Sequence, residues 1–231
     1  MIDLFSGLKH QTDIYIIRHG QSEGNAAQIL QGRMEYLLSE QGRLQSVIRG
    51  KALKEELKGE QVLFYSSPQG RAKETAGIIS EEAGLGEPVL VDELMEMSLG
   101  IWTGKTWDEV RNDDSELWES FMVRSWDAIP EAESSNDLYK RASNFWTKMC
   151  STVNEKEIGK VLIITHGGFI QWLLKSTFQC NSWFPMFPIS NCGQNKLCIK
   201  PNSSGKNPYM AWEEIDASIK GLQVIPTGFP A

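Results

Sequence analysis

The chain has 231 residues, 41% hydrophobic and 23% charged, a size and balance that fit one medium domain with elaborations and exclude a disordered or collagen-like chain. Thirty acidic against 23 basic residues give a net charge of −7 with no Lys/Arg cluster, which argues against a nucleic-acid or anionic-membrane surface. The longest apolar runs are four residues, far below the roughly 18 that a bilayer span needs, and the N-terminal MIDLFSGLKHQTD has no export signal, so a cytoplasmic protein is expected.

In chain order, Ile14-Tyr15-Ile16-Ile17 predicts a first buried strand and Val62-Leu63-Phe64-Tyr65 a second. Between them Leu44, Val47, Ile48 and Ala52 recur at helical spacing. Ser67-Pro68 predicts an N-cap and first-turn proline for the next helix, which carries Ala72, Thr75, Ala76, Ile79 and Ala83. A short third strand follows at Val89-Leu90-Val91. Thr106 to Ala132, with Trp107, Trp118 and Trp126, predicts a helical insert that forms a lid or side wall. Leu138, Ala142, Phe145, Met149 and Val153 line a further helix, and Val161-Leu162-Ile163-Ile164 forms a fourth strand. Two later strands are predicted at Lys196–Ile199 and Tyr209–Ile215, joined by a hairpin turn at Asn202-Ser203-Ser204-Gly205. The alternation indicates an α/β fold: a mostly parallel central sheet flanked by helices in three layers, one domain over residues 1–231 with the insert at about 106–132. The four cysteines, Cys150, Cys180, Cys192 and Cys198, show no metal or CxxC spacing and read as buried, reduced side chains.

Two of the three histidines share one local pattern: Arg18-His19-Gly20 after IYII, and Thr165-His166-Gly167-Gly168 after VLII. Both lie just past a strand's C-terminal end, the edge where open parallel sheets bind ligands. Either alone reads as an ordinary half-buried histidine. Arg18 shifts the balance, because a guanidinium at a strand end serves no packing purpose and holds phosphate in bidentate fashion. Arg71, after the second strand, faces the same rim, with a surface pair to Glu74 as the plainer alternative. The segment Glu93-Leu94-Met95-Glu96 brings a carboxylic acid to that edge. Asn25 reads equally well as a cap or turn residue, Ser22 and Gln28 as turn or cap residues, and His10 as a solvated surface histidine.

These residues resemble the histidine phosphatase superfamily, also called the phosphoglycerate mutase-like family. The match comprises the RHG of residues 18–20 with Ser22 and Asn25, SSPQGRAKETA from Ser66 to Ala76, the acid-bearing stretch Leu94 to Gly104, Glu133-Ser134 ahead of Arg141, and Thr165 to Gly168. It spans about Ile14 to Asp216. The resemblance implies that His19 is the nucleophile of a phosphohistidine mechanism. Arg18, Asn25, Arg71, His166 and the Gly167 and Gly168 amides would surround the phosphoryl oxygens. Glu96, ahead of Glu93 and Asp92, would be the proton donor, because the position after the second histidine, an aspartate in the acid-phosphatase branch, is Gly167 here. No metal and no cofactor is implied.

The mutase members of that family carry basic and aromatic residues that this chain lacks: Gly24 stands where they have tryptophan, Trp107 where they have lysine, and Arg111 and Arg124 lie far apart. A phosphatase acting on a small-molecule phosphomonoester is therefore expected, with phosphoglycerate-mutase-type transfer as the runner-up. A phospholigand-binding module without turnover is a third reading. Oligomeric state is left open, a homodimer included. Trp107, Trp118, Trp126, Trp183, Phe184, Met186 and Phe187 either wall a pocket for a bulkier ester or pack the insert and any subunit contact.

Overall fold

The computed structural model describes residues 4–202 and 208–218. Six strands, β1 (Thr12–Arg18), β2 (Val62–Ser66), β3 (Val89–Leu90), β4 (Lys160–Thr165), β5 (Gln194–Lys200) and β6 (Tyr209–Ala217), form one sheet in the order β3-β2-β4-β1-β5-β6. β3, β2, β4 and β1 run parallel, and β5 and β6 add an antiparallel edge. The helices are α1 (Glu23–Ala26), α2 (Glu40–Glu56), α3 (Gly70–Ala83), α4 (Trp107–Asp113), α5 (Ser115–Arg124), α6 (Ser135–Lys156) and α7 (Gly167–Thr177).

Alternate residues of the central strands feed two cores, as the two-residue period of a strand requires. Ile14, Ile16, Leu63, Tyr65, Val161 and Ile163 pack with α6 and α7, whereas Tyr15, Ile17, Phe64, Leu162 and Ile164 pack with α2 and α3. Because both faces are covered, β1 is buried along its whole length and reads as a continuous apolar run. The connection leaving β1 returns at β2, beyond β4, while the one leaving β4 returns at β5, beyond β1. The two connections therefore leave the C-terminal edge in opposite directions, and a crevice lies there beyond the paired strand ends.

Three expectations change. The inward face of α2 is Gly42, Gln45, Ser46, Arg49, Gly50 and Leu53, and Leu44 is 52% exposed. Close approach selects that face: a Cβ on Gly50 would lie 2.7 Å from Glu82 Cβ and one on Gly42 2.0 Å from Gln21 O. Second, α3 is capped at Gln69, not Ser67, and Pro68 precedes the helix. Ser67 is drawn instead to His166, described below. Third, Cys180 is only partly buried, while the other three cysteines are buried; all are free thiols. Most of the expected hairpin turn, residues 203–205, lies outside the described residues. Among the described residues no helix is long and apolar enough to cross a membrane.

Arg49 ties α2 to the antiparallel edge: it is 2% exposed and donates to Cys192 O (2.9 Å), Gln194 Oε1 (3.2 Å) and Ala217 O (2.7 Å). Arg49→Met leaves two main-chain carbonyls without that donor, and each unmet buried group costs about 1–3 kcal/mol. Urea unfolding should show a loss of about 3 kcal/mol, and a loss below about 0.5 kcal/mol would contradict this role.

Candidate active site

His19 follows the last residue of β1 and is 2% exposed. Its Nδ1 lies 2.7 Å from Gly20 O. A carbonyl oxygen only accepts, so Nδ1 carries the proton and Nε2 presents its lone pair. Arg71 Nε donates to that Nε2 at 3.2 Å. Burial, then the charges of Arg71 and Arg18, hold the imidazole pKa well below 6.5, so the ring is neutral. Gly20 lets α2 sit directly on this turn, since a Cβ there would lie 2.4 Å from Gly42 O.

The two guanidiniums are fixed by main-chain carbonyls. Arg71 donates to Met34 O and Gly32 O, both at 2.9 Å, and Arg18 Nη1 donates to Ile189 O at 3.0 Å. Among the described residues neither forms an ion pair, and Glu74 pairs with Arg43, not with Arg71. Burial draws Arg18 down to about 10, with Arg71 adding to the effect and Glu96 opposing it. His166 is fully buried, its ring 5.1 Å from that of His19, with Nε2 2.8 Å from Ser67 Oγ. Burial and the nearby arginines hold its pKa, too, well below 6.5. Arg18 Nε and His166 Nδ1 are buried without a hydrogen-bond partner. Orphaned atoms of this kind are rare in a folded chain.

Glu96 is held at every polar atom. Its N–H donates to Gln69 Oε1 (2.7 Å), its carbonyl accepts from Arg33 Nε (3.1 Å), and its carboxylate accepts from Met97 N (2.9 Å) and Gly168 N (3.1 Å). A Cβ on Gly168 would lie 2.6 Å from Glu96 Oε1, so glycine is required for the acid to reach the N-terminus of α7. Arg141, stacked on the Phe169 ring at 3.9 Å, grips the carbonyls of Glu93 (2.8 Å) and Met95 (2.6 Å) and pairs with Glu133. Glu93 itself is drawn away by Lys148.

A cavity of about 730 Å³ is bordered by Arg18, His19, Asn25, Arg71, Glu96 and Gly167, so six of the seven expected site residues meet there and His166 lies just behind. Asn25 is both cap and lining residue: its Oδ1 accepts from Ser22 N (3.2 Å) and Ser22 Oγ (3.0 Å) in the capping box of α1, leaving Nδ2 for a ligand. Gln28 also borders the cavity. Sequence reasoning missed Asn191, which donates to His19 O (3.1 Å) and borders the cavity, as well as Gln69 and Ser67. Asn191 follows no strand end and carries no motif, so only the fold places it. Among the described residues no group of three or more His, Cys, Asp or Glu is placed to hold a metal ion.

The sequence pattern of the histidine phosphatase superfamily (branch 1) matches residues 14–206. The chain belongs to this superfamily. It is 32% identical over 164 residues to phosphoglycerate mutase-like protein 4 of Arabidopsis thaliana, covering 70% of this chain and 69% of the relative. It is 30% identical over 172 residues to the metal-independent phosphoserine phosphatase of the same plant, covering 74% and 71%. The mycobacterial glucosyl-3-phosphoglycerate phosphatase structure, 24% identical, covers 90% of this chain and 100% of its own with a TM-score of 0.77, a likeness of fold. This histidine phosphatase is a phosphatase of the type its superfamily is named for.

Both imidazoles stay neutral when folded but bind a proton near pH 6.5 when unfolded, so unfolding takes up protons in acid. Their contribution to stability is complete above about 6.5 and is lost as pH falls below it, by up to about 3 kcal/mol per pH unit for the pair. Urea midpoints between pH 7.5 and 5 should fall more steeply for the wild type than for His19→Gln/His166→Gln; parallel slopes would refute the assignment.

Proposed function

We propose that this histidine phosphatase hydrolyses a small phosphomonoester in two in-line transfers through a phosphohistidine on His19 Nε2. The observation that carries the reading is the proton placement on His19: Nδ1 is committed to Gly20 O, so the neutral ring offers Nε2 to phosphorus beside Arg71.

In the first transfer Arg71 Nε–H turns from His19 Nε2 to a phosphoryl oxygen, and the freed Nε2 lone pair forms the N–P bond as the P–O bond to the alcohol breaks. Glu96, in its protonated form, gives its proton to the departing alkoxide. Arg18, Arg71, His166 and the Asn25 amide meet the equatorial oxygens. Among the described residues Arg18 Nε has no partner to relinquish and so donates to the oxyanion without reorganisation, as does His166 Nδ1 in the tautomer whose Nε2 accepts from Ser67 Oγ. In the second transfer the Glu96 carboxylate takes a proton from water, the oxygen of which attacks phosphorus; the N–P bond breaks, returning neutral His19 and releasing phosphate. No step draws on a metal or cofactor, because the two guanidiniums supply the positive charge.

The cations that border the cavity are Arg18, Arg71 and the exposed Arg111, which lies over Trp118 at 5.1 Å. One phosphoryl group is matched at its floor, which supports hydrolysis over a mutase cycle with a doubly phosphorylated intermediate.

Glu96→Gln separates the steps. With p-nitrophenyl phosphate, the leaving group of which needs no proton, it should give one equivalent of nitrophenolate in a burst, then turnover slowed about 10²–10⁴-fold. Labelled phosphate should be trapped on the protein during that burst and be absent in His19→Ala. Wild-type turnover by His19→Ala, or a Glu96→Gln enzyme without burst or label, would overturn the mechanism.

A further inference from the structure

Resting on the hydrolase reading, we infer that the alcohol half of the substrate is bulky and apolar, an aryl or aryl-alkyl group held between two aromatic walls. The first wall comes from the insert: Trp107 and Trp126 border the cavity with ring centroids 6.0 Å apart. Behind them Phe121 lies 5.8 Å from Trp107, and Trp102 lies 5.7 Å from Trp126. Four rings in mutual contact make a stiff surface.

The second wall is Trp183, Met186 and Phe187, in the segment that follows α7. A loop would ordinarily be a poor wall because nothing in it pairs with a sheet or helix ladder. Here two buried polar side chains of α7 hold it. Gln171 makes a two-bond clamp on Phe187, donating from Nε2 to its carbonyl (2.6 Å) and accepting its N–H at Oε1 (3.0 Å). Lys175, 1% exposed, donates to Ser182 O (2.9 Å) and Trp183 O and lies 5.3 Å from the Trp172 ring. Burying a lysine is unfavourable, and burial pulls this one down to about 8. The fold meets that cost to keep three large apolar side chains facing the cavity.

Leu30, Met97 and Leu99 complete the apolar lining. Several amides among the lining residues are engaged by the protein at one or both of their polar atoms. Gln171 is used on Phe187, Gln31 Oε1 accepts from Ser22 Oγ (2.8 Å), Gln21 Oε1 accepts from Ser39 Oγ (2.8 Å), and Asn191 donates to His19 O. The two facing walls are aromatic and apolar, the surface that an aryl-alkyl group needs. At about 730 Å³ the cavity also exceeds what a three-carbon ester fills.

The test compares esters that all leave as primary alkoxides, so leaving-group chemistry is constant: 3-phenylpropyl, n-propyl and glycerol 3-phosphates. For the wild type, kcat/KM for the phenylpropyl ester should exceed both others by about tenfold or more, the scale of filling an apolar pocket. Trp107→Ala and, separately, Phe187→Ala should bring the phenylpropyl-to-propyl ratio toward one. Binding of 3-phenylpropylphosphonate against propylphosphonate, neither of which can be hydrolysed, should show the same preference and the same loss. A wild type that prefers glycerol 3-phosphate, or shows no phosphonate preference, overturns the wall and leaves the hydrolase standing. Phosphonate preference without turnover or phosphoenzyme on any ester overturns the hydrolase and leaves the wall.

Discussion

Two guanidiniums and two imidazoles are packed together at the C-terminal edge of the sheet, and among the described residues no carboxylate is in an ion pair with either arginine. In water such a cluster would disperse, so the surroundings have to hold it. The holding is done by main-chain oxygens: Gly32 and Met34 for Arg71, Ile189 for Arg18, and Gly20 for His19. Carbonyl dipoles anchor a guanidinium while leaving its charge uncompensated, so the field at the crevice remains available to an incoming anion. Burial, reinforced by the same field, keeps both rings neutral, and a neutral ring is what a nitrogen nucleophile must be. Electrostatic environment and proposed nucleophile are thus one arrangement.

The acid is held by the same kind of device. Glu96 reaches the crevice on a segment with almost no regular structure, yet its own peptide groups and those of Glu93 and Met95 are gripped by Gln69, Arg33 and Arg141. Glu133 links Arg33 to Arg141, so three side chains from α6 and two loops act together on one short stretch of backbone. In the proposed mechanism this carboxyl group must stay within reach of the same oxygen in both transfers, and it is anchored both through its backbone and through the Met97 and Gly168 amides on its two oxygens.

The strand ends and their residues were legible because sequence and space coincide there: a buried β-branched run followed at once by Arg18-His19, Ser66-Ser67 or Thr165-His166 fixes where those side chains emerge. Arg71 was legible for the same reason, one turn into its helix. The inner face of α2 was not, because contact distance selected it, and Gly42, Ser46 and Gly50 carry no hydrophobic signal. Ser67 looked like a helix cap because cap and histidine partner use the same hydroxyl chemistry, and only the neighbouring strand decides between them. Asn191, Gln171 and Lys175 act across long sequence separations or on a loop's backbone, so no local period marks them.

The partners of Arg18 and His19 lie far along the chain: the carbonyl that fixes the guanidinium belongs to Ile189, and the amide that caps the His19 carbonyl belongs to Asn191. During ribosomal synthesis the first residues of the crevice emerge long before those that orient them. A nascent chain ending short of this segment carries Arg18 and His19 without these two contacts, so the crevice takes its described geometry only once the chain through Asn191 has been made.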